Sequence, residues 1–149
     1  SVEPTQTNYL TFASAEPFTI ATNNKTKNWD GTLYYSTDAN AWSEWDGTAT
    51  LESAEHGGEQ RIYMRGSSNS CITGNNKFSE KTKGFVLTGS NIRCNGNIEN
   101  LLDFNAVANG EHPNMTDYCY RTMFSNCTSL VEAPSLPATI LAEYCYTHM

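Results

Sequence analysis

Residues 118–149 read YCYRTMFSNCTSLVEAPSLPATILAEYCYTHM, and the stretch ends by restating its own opening: YCYRTM at Tyr118–Met123 returns as YCYTHM at Tyr144–Met149, 26 residues on, with four of six positions identical. A fixed offset of this kind marks stacked units, none of which can bury its inner face alone. Cys119, Met123 and Cys127 are spaced four apart, as are Tyr120 and Phe124. That spacing predicts one apolar helical face, N-capped by Thr116 or Asp117. Pro134 and Pro137 end the helix and predict an extended segment through Leu130, Val131 and Leu136. One unit therefore reads as helix, turn, short strand and return. Tyr118, Cys119, Tyr120, Met123, Phe124, Cys127, Leu130 and Leu136 belong to the first unit, and Tyr144, Cys145, Tyr146 and Met149 to the second. The cysteines are expected to pack on an inter-unit ladder rather than to react.

Upstream, GFVLTGSNIRCNGNIENLLDF (84–104) spaces Phe85, Leu87, Ile92, Ile98, Leu101 and Leu102 between Gly-Ser-Asn and Asn-Gly punctuation. Short strands broken at such intervals suggest solenoid rungs, and the change of texture places a boundary near residues 84–92. The 26-residue offset falls within the period of leucine-rich repeats.

The run CYRTMFSNCTSLVEAPSLPATILAEYCYTHM resembles the BspA-like class of leucine-rich-repeat surface proteins, whose repeats carry CY, MF, a C-T-S-L stretch and a Leu-Pro-Ala-Thr stretch in this order. Members, encoded by gut and oral bacteria and sometimes by their bacteriophages, often begin with a short β-rich region. That region reaches a G-S-N-I-x-C-x-G-N-I stretch like Gly89–Ile98. The resemblance is strong over Gly84–Met149 and loose over residues 9–65. It implies adhesion and host-protein binding, and it carries no residue-level binding motif. Such proteins hold several repeats, whereas this sequence has one full unit and the start of another. That departure reads as a fragment whose open repeat end would self-associate.

The first ninety residues read differently. YLTF, PFTIA, TLYYS, AWSEW and RIYMR alternate apolar residues over four to six positions and predict short strands. NNKTKNWDG, TDAN and SAEHGGEQ between them are turn chemistry. WDGT occurs at Trp29–Thr32 and again at Trp45–Thr48. Asp-Gly favours two-residue reversals, so SEWDGTATLE predicts a hairpin with Asp46-Gly47 at its tip. Asp38 in TDAN reads as a turn-former, because its distance to Trp42 departs from the Asp-box pattern of glycan-processing propellers. The expected fold class is α+β, with an antiparallel β-sandwich or meander over residues 1–88. Residues 89–149 are expected to form a leucine-rich-repeat segment: an N-terminal cap, one full repeat and the start of a second.

Trp29, Tyr34, Tyr35, Trp42 and Trp45 crowd the β-rich half. One reading makes them the core of a sandwich poor in Leu and Ile. The other makes Trp29, Tyr34, Trp42 and Trp45 a ligand surface that stacks on sugars or anchors a protein partner.

With 16 acidic against 9 basic residues, a net charge of −7 opposes a phosphate backbone. The cluster Lys77, Lys81 and Lys83 includes Glu80 and reads as a solvated loop, so no nucleic-acid partner is expected. No apolar run reaches the length of a membrane span. The five cysteines contain no C-x-x-C pair. Cys71 and Cys94 could pair or remain buried thiols. His56, His112 and His148 have no nucleophile at a recognisable spacing. Asp30, Asp38, Asn40 and Asp46 lie among turns in no EF-hand pattern, and they read as turn residues rather than calcium ligands. The expectation is therefore a non-enzymatic protein without metal or cofactor. It would act outside the cell, on a cell surface or a virion, as an adhesion module binding a host or cell-surface protein or glycan. The alternatives are a carbohydrate-binding module using exposed Trp and Tyr, or a structural stalk that self-assembles.

Overall fold

The computed structural model describes residues 8–73, 84–115, 120, 123–124 and 127–135. In chain order the strands are β1 (Leu10–Ser14), β2 (Thr19–Thr22), β3 (Thr32–Ser36), β4 (Ser43–Trp45), β5 (Leu51–Glu52), β6 (Ala54–His56), β7 (Glu59–Ser67), β8 (Phe85–Thr88), β9 (Ile92–Asn95) and β10 (Leu130–Glu132). A helix, α1 (Asn100–Ala108), precedes β10. The larger sheet runs β10-β9-β1-β7-β3-β4, with β6 also on β7, and the smaller runs β5-β2-β8. All pairs are antiparallel except β10 on β9, which is parallel.

Period-two alternation decides which residues fill the space between the sheets. In the larger sheet Leu10 and Tyr35 flank Met64, Phe12 flanks Ile62 and Cys94, and Leu33 flanks Trp45. In the smaller sheet Ile20 lies between Leu51 and Leu87. Except for half-buried Tyr35, packed against its margin, these side chains are buried in one cluster. The cluster also takes in Phe18, Trp29, Phe85, Ile92, Ile98, Leu101 and Leu102. It spans both sides of the expected boundary at residues 88 and 89.

Helix α1 crosses the end of β7. A Cβ on Gly66 would lie 1.8 Å from the Leu101 carbonyl oxygen, so the strand and the helix meet backbone to backbone, an approach open only to glycine. The buried Asn69 ties the junction. Its Nδ2 donates to the carbonyls of Thr32 (2.9 Å) and Leu101 (3.0 Å), its Oδ1 accepts from the Gly31 N–H (2.6 Å), and its own N–H donates to Leu102 O (2.9 Å). With these carbonyls taken, the helix breaks at Asp103 (φ −156°, ψ 100°) and restarts with the Asp103 carboxylate accepting from the N–H groups of Asn105 and Ala106. Among the described residues no helix is long and apolar enough to cross a membrane.

Several expectations need correction. The fold is mostly β, with one short helix and a mixed larger sheet, rather than α+β, and no start of a leucine-rich-repeat solenoid is present among the described residues. IENLLDF, read as rungs, contributes α1, because Leu101 and Leu102 close the end of the β core. Tyr120, Met123, Phe124 and Cys127, expected on a helical face, are joined by i→i+3 turns: Met123 N–H to Tyr120 O (3.1 Å) and Cys127 N–H to Phe124 O (3.1 Å). Tyr120, Met123 and Phe124 sink into the sheet core instead of an inter-repeat ladder, and Phe124 meets Phe12 and Phe85 edge-on. Leu130 lies beside Ile92 on the sheet edge. Tyr118, Cys119, Leu136, Tyr144, Cys145, Tyr146 and Met149 lie outside the described residues, as do Thr116, Asp117 and the cluster Lys77, Lys81 and Lys83. The hairpin expected at Asp46-Gly47 is a crossing between sheets, for β4 pairs with β3 and β5 with β2. Gly47 (φ +83°) lets the chain turn over the Trp29 ring. Cys71 and Cys94 are separate buried thiols.

Candidate functional site

Strand β7 carries the site. Its residues 62, 64 and 66 point inward, which leaves Arg61, Tyr63 and Arg65 on the outer face of the larger sheet. Neighbouring strands add Thr11 opposite Tyr63, Tyr34 opposite Arg65, and Ala13 opposite both Arg61 and Arg93. All three arginines among the described residues, Arg61, Arg65 and Arg93, therefore share one face.

The side chains of this face form a continuous line of contacts. At the α1 end, the Arg65 guanidinium carbon lies 4.1 Å from the ring centroid of Phe104 and 4.1 Å from that of Trp42. Trp42 meets Tyr9 (5.7 Å between centroids), and Tyr9 meets Tyr63 edge-on (5.2 Å). The Tyr63 hydroxyl is 2.6 Å from His56 Nδ1 and accepts from Arg61 at 3.4 Å. Arg61 reaches Glu59 at 4.0 Å, and Glu59 pairs with Arg93. The turn that presents Trp42 is built by Asp38, whose Oδ1 accepts from the N–H groups of Asn40 and Ala41 and from Ser36 Oγ, each at 2.9 Å.

The three cations differ in how they are held. The hydrogen bond to Tyr63 raises the Arg61 pKa, with Glu59 adding to it. Burial lowers that of Arg65, and Tyr34 opposes this only in part. Arg65 Nε is buried without a hydrogen-bond partner. Backbone N–H groups of Ala41 and Asn40 hold the Asp38 carboxyl at about 2. Burial raises Asp30, but hydrogen bonds from Ser70 and Cys71 outweigh it and leave its pKa lowered. Asp46 is lowered by the hydroxyl and N–H of Thr48. Asp38 and Asp46 are thus tied to their own turns and Asp30 to the distant segment at Ser70 and Cys71, and among the described residues no group of three or more His, Cys, Asp or Glu could hold a metal ion.

Of the candidate ligand residues, the sheet separates two from two. Trp29 (4% exposed) and Trp45 (2%) stack on each other in the core, 5.3 Å between ring centroids, and offer no face to a ligand. Trp42 and Tyr34 are half-buried on the outer face beside Arg65. The residues that complete the line, namely Tyr9, His56, Arg61, Tyr63, Arg65 and Phe104, were not singled out from the sequence. The available signal was RIYMR itself, where Arg61, Tyr63 and Arg65 recur with the period of one strand face. His112 lies elsewhere, with Nδ1 2.9 and 3.0 Å from the two carboxylate oxygens of the buried Glu99. A separate open cavity of about 670 Å³ lies where the sheets part, lined by Tyr35, Trp45 and Leu51 with the acids Glu44, Asp46 and Glu52. Comparison with known proteins finds no matching family model, no matching curated protein and no matching solved structure.

Proposed function

We propose that this chain is an extracellular binding module that recognises a cell-surface protein or glycan through the outer face of its larger sheet. One observation carries the reading: a single face gathers three arginines and a line of half-buried and buried aromatic rings, the side-chain types that dominate binding surfaces. The opposite face of the same sheet is consumed by the core. Among the described residues Phe104 at the end of α1 and Trp42 from the turn after β3 both lie against Arg65 on this face. The extracellular setting draws on the resemblance of residues 84–149 to bacterial surface proteins and on the Asn-, Ser- and Thr-rich composition.

The test is capture of labelled protein by arrays of glycans and of host surface proteins. The double variant Tyr9→Ala/Trp42→Ala should lose whatever the native chain captures. Val86→Ser, on the far side of the smaller sheet and 37% exposed, should retain it. Capture that survives the double variant would place recognition elsewhere and end this reading.

A further inference from the structure

We infer that Arg65 binds a carboxylate and that the ligand of the outer face is a glycan whose sugar rings carry carboxylates. The inference rests on the binding role proposed above and narrows it to a ligand class. Arg61 and Arg93 are committed within the face, to the Tyr63 hydroxyl and to Glu59. Arg65 is not. Its guanidinium carbon lies over the rings of both Trp42 and Phe104, its Nε is buried without a hydrogen-bond partner, and no ion pair engages it among the described residues. With Nε buried, the two terminal nitrogens of the guanidinium form the edge that a ligand can reach. A rigid fork of parallel donors matches the two oxygens of a carboxylate.

Charge narrows the ligand further. Arg65 is one uncommitted cation on a chain of net charge −7, and Glu44 lies one register step away, opposite Tyr34. Closely spaced phosphates would be repelled there, whereas carboxylates separated by a sugar ring would be tolerated. A glycan also fits better than an acidic peptide. β1, β3 and β7 are interior strands with neighbours on both sides, so this face offers no free edge for a peptide strand to extend. It offers instead the half-buried ring of Trp42 for the C–H face of a sugar, with the Tyr34 and Thr32 hydroxyls on the same side of the sheet.

The test is titration of isotopically labelled protein, followed by NMR at the Arg65 Nε–H and the Trp42 indole. The probes are a galacturonic acid hexamer, its methyl ester, a neutral galactose hexamer, sialyllactose and a hexaglutamate peptide. At least one of the two acidic sugars should shift both signals, while the ester and the neutral hexamer should not. Arg65→Gln should weaken that binding about tenfold while the chain still unfolds in one cooperative transition, and Arg65→Lys should recover only part of it. The inference is overturned if neither acidic sugar shifts these signals, if the ester binds as well as the acid, if Arg65→Gln binds equally, or if hexaglutamate binds more tightly than both sugars. In each of these cases array capture that still depends on Tyr9 and Trp42 would leave the broader binding role standing.

Discussion

Strand β7 has two faces that differ in every respect except their backbone. Inward, Ile62 and Met64 have no exposed surface and Gly66 has no side chain at all, because the helix backbone needs its place. Outward, Arg61, Tyr63 and Arg65 are held by ring contacts and single hydrogen bonds. The inner face gains its stability from excluded water and close packing, which tolerate no change of volume. The outer face is held by contacts worth about 1 kcal/mol each or less when exposed. Among its three cations only Arg65 makes no ion pair with the described residues. Stability is concentrated on the inner side of the strand, and the proposed recognition falls on the outer side.

Substitutions along β7 should follow that division. Ile62→Ala, which removes a fully buried side chain between Phe12 and the smaller sheet, should cost about 4 kcal/mol in urea unfolding. Gly66→Ala should cost about 3 kcal/mol, because a methyl at 1.8 Å from Leu101 O forces α1 off the sheet. It should also weaken outer-face binding, since Phe104 moves with the helix and uncovers Arg65. Trp42→Ala should lower stability by only about 1 kcal/mol while removing binding. A larger stability loss for Trp42→Ala than for Ile62→Ala would contradict the division of the two faces.

The inner face was the readable one. Apolar alternation in YLTF, TLYYS and RIYMR predicts strands that β1, β3 and β7 contain. The polar members of the same alternation, Arg61, Tyr63 and Arg65, follow the identical period. A pattern with period two specifies both faces at once, but its polar half is shared by every solvated strand face and so does not single out a site. The C-terminal reading went wrong for a different reason. Cys119, Met123 and Cys127 match a helical spacing, but Tyr120, Met123 and Phe124 are buried in the sheet core next to them, with i→i+3 hydrogen bonds in place of a helical ladder. Periodicity shows which residues need burial and not what will bury them. Similarly, Asp46-Gly47 marks a bend of the chain but not the expected hairpin, because the partner of each flanking strand is chosen by distant residues: Leu33 for Trp45 and Ile20 for Leu51. Phe104 over Arg65 was beyond reach from sequence, because it depends on how α1 docks across Gly66.

The smallest expected effect concerns the turn that holds Trp42 in place. Asp38 is exposed, so burial does little to raise its pKa, and the N–H groups of Ala41 and Asn40 with the Ser36 hydroxyl bring it from 3.8 to about 2. A carboxyl held below its unfolded value stabilises the fold fully above pH 3.8, and that contribution fades as the pH falls toward 2. The turn should therefore loosen in acid before the core does. An NMR titration should give Asp38 a midpoint near 2, with the Trp42 indole signal following it while the buried Trp29 and Trp45 signals stay fixed. Asp38→Asn keeps an oxygen that can accept the same hydrogen bonds, so it should preserve the position of Trp42 at neutral pH and abolish the acid transition. A midpoint at the ordinary carboxyl value, or Trp45 moving together with Trp42, would mean that this turn does not position the outer face independently of the core.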